Sequence, residues 1–173
     1  WTDANNSEVA FKLSRTASLG GRIGSLFHGT SANSGAIAQV TWLPSNKIWA
    51  SYDQANDVRF GAYFRTEPLL AAAGRPSQLI AKYRGTTYGT PTEHVADAKV
   101  FRTGEMYLIR AEANAELNNL VGATNDLNTL RAARINGYTN VTLATKDAAI
   151  TAIMEERFKE LPFEGHRFWD LKR

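Results

Sequence analysis

The sequence predicts a mainly α fold. A helical second half carries a tetratricopeptide-type helix pair and further C-terminal helices, and the first half holds long irregular loops and short strands. Three observations predict it. Apolar residues recur at helical spacing from Met106 to Leu120. Gly, Ser, Thr and Asn crowd residues 1–99, with five of the thirteen glycines inside 15–35. A second periodic stretch ends at Pro162, a helix breaker, just ahead of an aromatic segment.

In chain order, Val9, Phe11 and Leu13 alternate with Ala10, Lys12 and Ser14, the period of a half-buried strand. Residues 15–35 read as a long loop, a length that compact domains usually reserve for function or disorder. Ala36 to Leu43 is expected to form a second strand. Pro44-Ser45 then starts a short helix, Ser45 capping it, through Ile48, Trp49 and Tyr52. Phe60 to Arg65 and Leu79 to Arg84 read as short strands.

The helical half begins with one stripe of Met106, Ile109, Ala113, Leu117 and Leu120, beside a second of Leu108, Ala111 and Ala115. Gly122 is expected to end or interrupt this helix. A partner helix follows with Ala123, Leu127, Leu130 and Arg134 on one face, so the two resemble a single tetratricopeptide-type repeat. One such repeat normally stacks on neighbours, which predicts that part of the 105–120 apolar face is uncovered. Thr145 caps a third helix carrying Ile150, Ile153, Phe158 and Leu161, with Glu155 and Lys159 paired at i, i+4. Phe163 to Trp169 should fold back onto these helices.

Composition excludes several function classes. The 173 residues are enough for one well-buried domain. No apolar run is long enough for a membrane span. The net charge of +3 is scattered among 20 Lys/Arg and 17 Asp/Glu, without the basic face that nucleic-acid binding requires. Zero cysteines exclude disulfides, thiolate metal sites and a thiol nucleophile. His28, His94 and His166 lie far apart with no ligand spacing, so no metal and no cofactor is expected.

The carboxylates invite a glycosidase reading, which needs two of them across the scissile bond. Glu155, Glu156 and Glu160 are instead interleaved with Arg157 and Lys159, the composition of a salt-bridged helix face, so no catalytic residue is assigned. Glu112 with Arg131 or Arg134 is expected to form a buried structural ion pair between the paired helices, fixing register more than stability. Ligand binding falls to aromatics, whose faces stack on sugar rings while polar neighbours meet the hydroxyls. Trp169, Phe163 and Phe168, like Trp49 and Tyr52, are assigned to packing. The ligand-binding candidates are Phe27 and His28 in the long loop, Asn33 nearby, and Trp42 at a strand end; Trp1 and Tyr88 rank below them.

Three stretches carry a family resemblance. They are Phe101-Arg102-Thr103-Gly104-Glu105-Met106-Tyr107-Leu108-Ile109-Arg110-Ala111-Glu112-Ala113, then Leu127-Asn128-Thr129-Leu130-Arg131-Ala132-Ala133-Arg134, and the run from Glu155 to Asp170-Leu171-Lys172-Arg173. Together with Asn6-Ser7-Glu8-Val9-Ala10-Phe11 and Asp57-Val58-Arg59, they resemble the C-terminal part of the SusD/RagB family of outer-membrane nutrient-binding lipoproteins. The resemblance implies that residues 1–173 are one C-terminal portion of a SusD-like protein, cut at both ends. Residues 1–99 would be its ligand-binding region and 100–173 its helical scaffold.

It further implies non-catalytic capture of a glycan or other complex nutrient at the bacterial cell surface. Delivery would be to a SusC-like TonB-dependent transporter, with the parent facing outward from the outer membrane on a lipid anchor absent here. The alternative reading is a protein-interaction scaffold without a small-ligand site.

Overall fold

The structure is a computed structural model, and it describes residues 7–16, 18, 23–27, 40–85 and 95–172. The chain divides into two compact units, residues 1–50 with 59–101, and residues 51–58 with 102–173. The short segment 51–58, which includes Tyr52, belongs with the helices of the second unit.

The first unit is built from short elements. Strand β1 (Val9–Leu13) pairs with β4 (Ala98–Arg102), and β2 (Phe64–Thr66) pairs antiparallel with β3 (Gln78–Ile80), Phe64 facing Ile80. The alternation expected of β1 does not become half-burial, since Phe11 and Leu13 are both exposed. Phe11 meets Phe101 of β4, ring centroids 6.2 Å apart. What ties β1 down is polar: Lys12 Nζ lies 2.9 Å from Asp97 Oδ2, and Arg15 N donates to Asp97 Oδ1 at 2.8 Å.

Within the expected loop, helix α1 spans Ile23–Phe27. Residues 40–43, the described part of the expected second strand, carry no regular element. Helix α2 (Asn46–Ala50) starts where expected, Ile48 N donating to Ser45 Oγ at 3.4 Å.

Phe60 to Arg65 is not one strand. Helix α3 (Val58–Tyr63) runs directly into β2. Phe60 and Phe64 lie one helical turn apart, and Trp49 packs edge-on against both at 4.9 and 5.7 Å. That aromatic cluster favours the helical turn over the β propensity of its members. Helix α4 (Pro68–Ala72) has Pro68 in its first turn, where the missing N–H costs nothing, and Glu67 capping the Leu69 N–H. Leu70, Leu79 and Val40 form a small closed core.

The second unit is a helical body of α5 (Thr103–Glu116), α6 (Leu120–Ala132), α7 (Lys146–Glu160) and α8 (His166–Asp170). Its core joins Leu108, Ala111 and Ala115 of α5, Ala123, Leu127 and Leu130 of α6, and Ala149 and Ile153 of α7. Small Ala side chains at the α5–α6 contact allow close approach of the two helices. The buried stripe is therefore the second of the two expected on α5. Met106, Ile109 and Leu117 of the first stripe, with Val121, are exposed.

Gly122 does not end α5 but lies inside α6. The break is at Asn118, left-handed at φ 59°, and at Asn119, whose side chain accepts from Gly122 N at 3.1 Å. A Cβ at Gly122 would sit 2.6 Å from that Asn119 amide, so Gly122 makes room for the cap. Thr145 caps α7 as expected, accepting from Ala148 N. After Pro162, Phe163 adopts φ 64° and Gly165 φ 87°, reversing the chain into α8.

The Arg/Glu-rich tail forms buried ion pairs rather than a solvated face. Glu160 is fully buried, and its carboxylate accepts from Arg102 Nη1 at 2.8 Å and from Arg134 Nε and Nη2 at 3.1 Å each. Arg102 also reaches both oxygens of Glu164, at 3.0 and 2.7 Å. Glu156, equally buried, takes Arg131 Nε at 2.6 Å, and Lys159 stands 3.8 Å away. Burial pulls the Arg131 pKa down, but the Glu156 charge and hydrogen bond outweigh it and leave the guanidinium raised above its ordinary value.

Arg131 and Arg134, one or other of which was expected to pair with Glu112, are both held by acids of α7, Glu156 and Glu160. Residues 51–58 join the same body through Tyr52 Oη, which donates to Lys159 O at 2.7 Å, and through the bridge between Asp57 and Ile135.

Candidate functional site

Of the ligand-binding candidates, Phe27 and Trp42 lie among the described residues, and His28 and Asn33 lie outside them, as do Trp1, Tyr88 and His94. The structure brings the first two into one neighbourhood. Thr41 N and Trp42 N both donate to Leu26 O at 3.1 Å, so the end of α1 is held against residues 41 and 42. Val40 just ahead is buried, and Arg75 Nη2 donates to its carbonyl at 2.7 Å.

The two rings then play different parts. Phe27 stacks on the buried Tyr83, centroids 5.3 Å apart at 27°, so it ties the end of α1 to that residue. Trp42 is 58% exposed. An indole held out on an anchored backbone offers an apolar face with one N–H donor, the surface a sugar ring stacks upon.

The helical unit carries a concave feature that sequence reasoning missed. A groove of about 460 Å³ runs between α5 and α8, floored by Ile109 and Ala113 and walled by Trp169. Its volume falls within the roughly 300–1,000 Å³ usual for small-molecule sites. Trp169 and Phe168, expected to pack, are 65% and 59% exposed, and no residue of α8 is buried. The signal available was the spacing of Glu105, Ile109, Glu112 and Glu116, which places all four on one face of α5. A smaller hollow of about 320 Å³ lies by Thr103, Met106, Tyr107 and Arg110. There Arg110 sits over the Tyr107 ring and grips Asp126 with two hydrogen bonds of 2.8 and 2.6 Å. That hydrogen bond, more than the accompanying charge attraction, raises the Arg110 pKa.

Two of the three carboxylates that suggested hydrolysis are turned inward, whereas Glu155 is exposed. Glu156 and Glu160 are closed to solvent and committed to guanidinium groups. Among the described residues there is no group of three or more His, Asp or Glu arranged to hold a metal ion, and no helix is long and apolar enough to cross a membrane.

The described chain is thus a unit of short elements followed in sequence by a helix-pair body. The comparisons with known proteins give its family. Residues 72–173, more than half the chain, match the model of the SusD family. The SusD-like protein P38 of Formosa agariphila is 31% identical over 125 residues, 68% of this chain and 25% of its own length. A solved SusD superfamily protein of Bacteroides fragilis superposes with a TM-score of 0.76 at 20% identity, over 99% of this chain and 41% of that one. A SusD-like carbohydrate-binding protein of Bacteroides vulgatus gives 0.70 at 21% identity, over 95% of this chain and 34% of that one. The chain belongs to the SusD family, and its fold is the mainly α SusD-like fold. It spans about a quarter of the length of the curated relative it matches.

Proposed function

We propose that the chain serves non-catalytic glycan capture. The protein that carries it would hold a glycan at the outer face of the bacterial outer membrane, through a lipid anchor, and pass it to a SusC-like TonB-dependent transporter. The observation that carries this reading is Trp42, an exposed indole on a backbone tied to Leu26 O, in a family whose Bacteroides vulgatus neighbour is named as carbohydrate binding. Stacking on an indole needs no cofactor and breaks no bond. Binding then rests on apolar contact, with hydroxyl hydrogen bonds supplying orientation. Phe27 would position the loop rather than touch the ligand, and His28 and Asn33 would supply polar contacts.

The test is native affinity electrophoresis of the chain and of the longer protein over soluble polysaccharides, with Trp42→Ala beside each. Retardation by one glycan, reduced at least tenfold in affinity by Trp42→Ala, is the expected result. Absence of retardation on every glycan would end the glycan reading. It would favour the interaction-scaffold alternative, for which the exposed Met106, Ile109, Leu117 and Val121 supply a surface.

A further inference from the structure

The turn that follows α6 carries a chemistry that the helical core does not use. Asn136-Gly137 is the single Asn-Gly pair of the sequence, and every other asparagine is followed by a residue with a side chain. The pair forms the middle of a tight turn, in which Tyr138 N donates to Ile135 O at 3.2 Å. Gly137 takes φ 71°, a left-handed value that glycine adopts at this turn position without strain. Both residues are exposed. Among the described residues, none hydrogen-bonds the Asn136 side-chain amide or the Gly137 N–H.

A side-chain amide in water, next to a backbone nitrogen that no following Cβ shields, is set up for ring closure. Gly137 N gives its proton to hydroxide and attacks Asn136 Cγ. The N–Cγ bond forms, the Cγ–Nδ2 bond breaks, and Nδ2 takes a proton from water and leaves as ammonia. Water then opens the imide ring at either carbonyl. One opening gives aspartate. The other gives isoaspartate, in which the main chain runs through the former side chain and is one atom longer. Water is the only co-reactant, and this reactivity is one reason asparagine counts as thermolabile.

The added atom falls between two anchored points. Before it, Asn136 N donates to Asn56 O at 3.0 Å, Val58 N donates to Arg134 O at 2.9 Å, and Asp57 bridges to Ile135. After it, Tyr138 Oη donates to Asn128 Oδ1 at 2.8 Å. Hydrogen bonds weaken steeply once distance and angle are disturbed, so a longer turn loosens the contacts to residues 56–58.

We propose that Asn136 is a self-modification site, which ages to isoaspartate through Gly137 and thereby loosens residues 51–58 from the helical unit. The site is independent of the glycan reading.

The test is peptide mapping by mass spectrometry of the chain and of the longer protein, aged at mildly alkaline pH, with isoaspartyl methyltransferase labelling. The peptide holding Asn136 should show the mass gain of an NH₂ replaced by OH, and it should take the methyl label. Conversion there should be at least about tenfold faster than at any other asparagine, since only Gly137 N has no Cβ beside it. The rate should rise with pH, and Asn136→Gln should lose both signals while melting like wild type.

The isoaspartyl form, separated by ion exchange, is then compared with Asn136→Asp by amide hydrogen exchange. The N–H of Val58 should exchange at least about fivefold faster in the isoaspartyl form, with Asn136→Asp, which adds charge and no length, close to wild type. Conversion of Asn136 no faster than that of the other asparagines would overturn the site, as would conversion in the chain with none in the longer protein. Conversion with unchanged exchange at Val58, or equal acceleration in Asn136→Asp, would overturn the loosening.

Discussion

Replacing Glu160 by Gln tests the claim that the tail is scaffold. The substitution keeps the volume and removes one charge from a place with no solvent. Arg102 Nη1 and Arg134 Nη2 both point at Glu160 Oε1, from 2.8 and 3.1 Å, while Arg134 Nε meets Oε2 at 3.1 Å. A Gln side chain must turn an NH₂ group toward one of these donors. Arg102 would keep its bonds to Glu164, whereas Arg134 would lose the charge that both its Nε and its Nη2 address. Breaking a buried pair from one side costs about 3–5 kcal/mol, and the bonds from Arg102 to Glu164 place this case near the lower end, about 3 kcal/mol. Whole-domain stability is commonly about 5–15 kcal/mol.

Urea unfolding followed by far- and near-ultraviolet circular dichroism measures the loss directly. With a slope of about 1–3 kcal/mol per molar urea, the midpoint should fall by roughly 1–3 M. Replacing Arg102, Arg134, Glu160 and Glu164 together by Met should cost less than Glu160→Gln alone, since both acids leave with the two guanidinium groups that hold them. A loss below about 0.5 kcal/mol for Glu160→Gln would refute the reasoning, because the pairs would then contribute no more than exposed ones do.

Two further outcomes bear on the same architecture. Gly104→Ala places a Cβ 2.6 Å from Glu160 Oε1, so either the carboxylate or the start of α5 must shift. A loss of about 1–3 kcal/mol is expected, read as a lowered thermal midpoint, and an unchanged midpoint would show that the cluster has slack. Asp97 anchors β1, and its pKa carries the second prediction. Burial pushes its carboxyl up, but the Lys12 side chain, the Arg15 N–H and the charges of Lys12 and Lys99 hold it below the ordinary value. A folded pKa below the unfolded one gives stability that is full above about pH 4 and lost as pH falls through the folded value. Wild type should therefore exceed Asp97→Asn in stability at pH 7 and converge on it toward pH 3. A difference that is constant with pH would refute the ion pairing.

The helices of the second unit were legible because their signals are local. Thr145 caps α7 through its own side chain, and the Leu108, Ala111 and Ala115 stripe repeats within one helix. What was not legible was nonlocal. Whether Arg131 meets Glu112 or Glu156 depends on which helix lies across it, and sequence spacing within a pair says nothing about the third helix. Phe60 and Phe64 read as members of one strand because aromatics favour strands, yet Phe60 lies in α3 and only Phe64 opens β2, with Trp49, more than ten residues earlier, packed against both. In the candidate site, loop position pointed to Trp42, whereas motif membership sent Trp169 to the core. A short helix such as α8 can keep its ends anchored and still leave its middle in water, and composition does not register that difference.

The distribution of polar groups follows from what each solvent environment allows. A charge removed from water must meet an opposite charge in good geometry, so an Arg/Glu-rich run that is buried becomes a set of mutual contacts with little left for a ligand. Glu160 is the limiting case, with its oxygens already filled by two guanidinium groups. Recognition of an uncharged ligand makes the opposite demand, for apolar surface kept in water and held still until the ligand arrives. The proposed role of Trp42 rests on that demand, because its indole is exposed while the N–H groups of Thr41 and Trp42 are tied to Leu26 O.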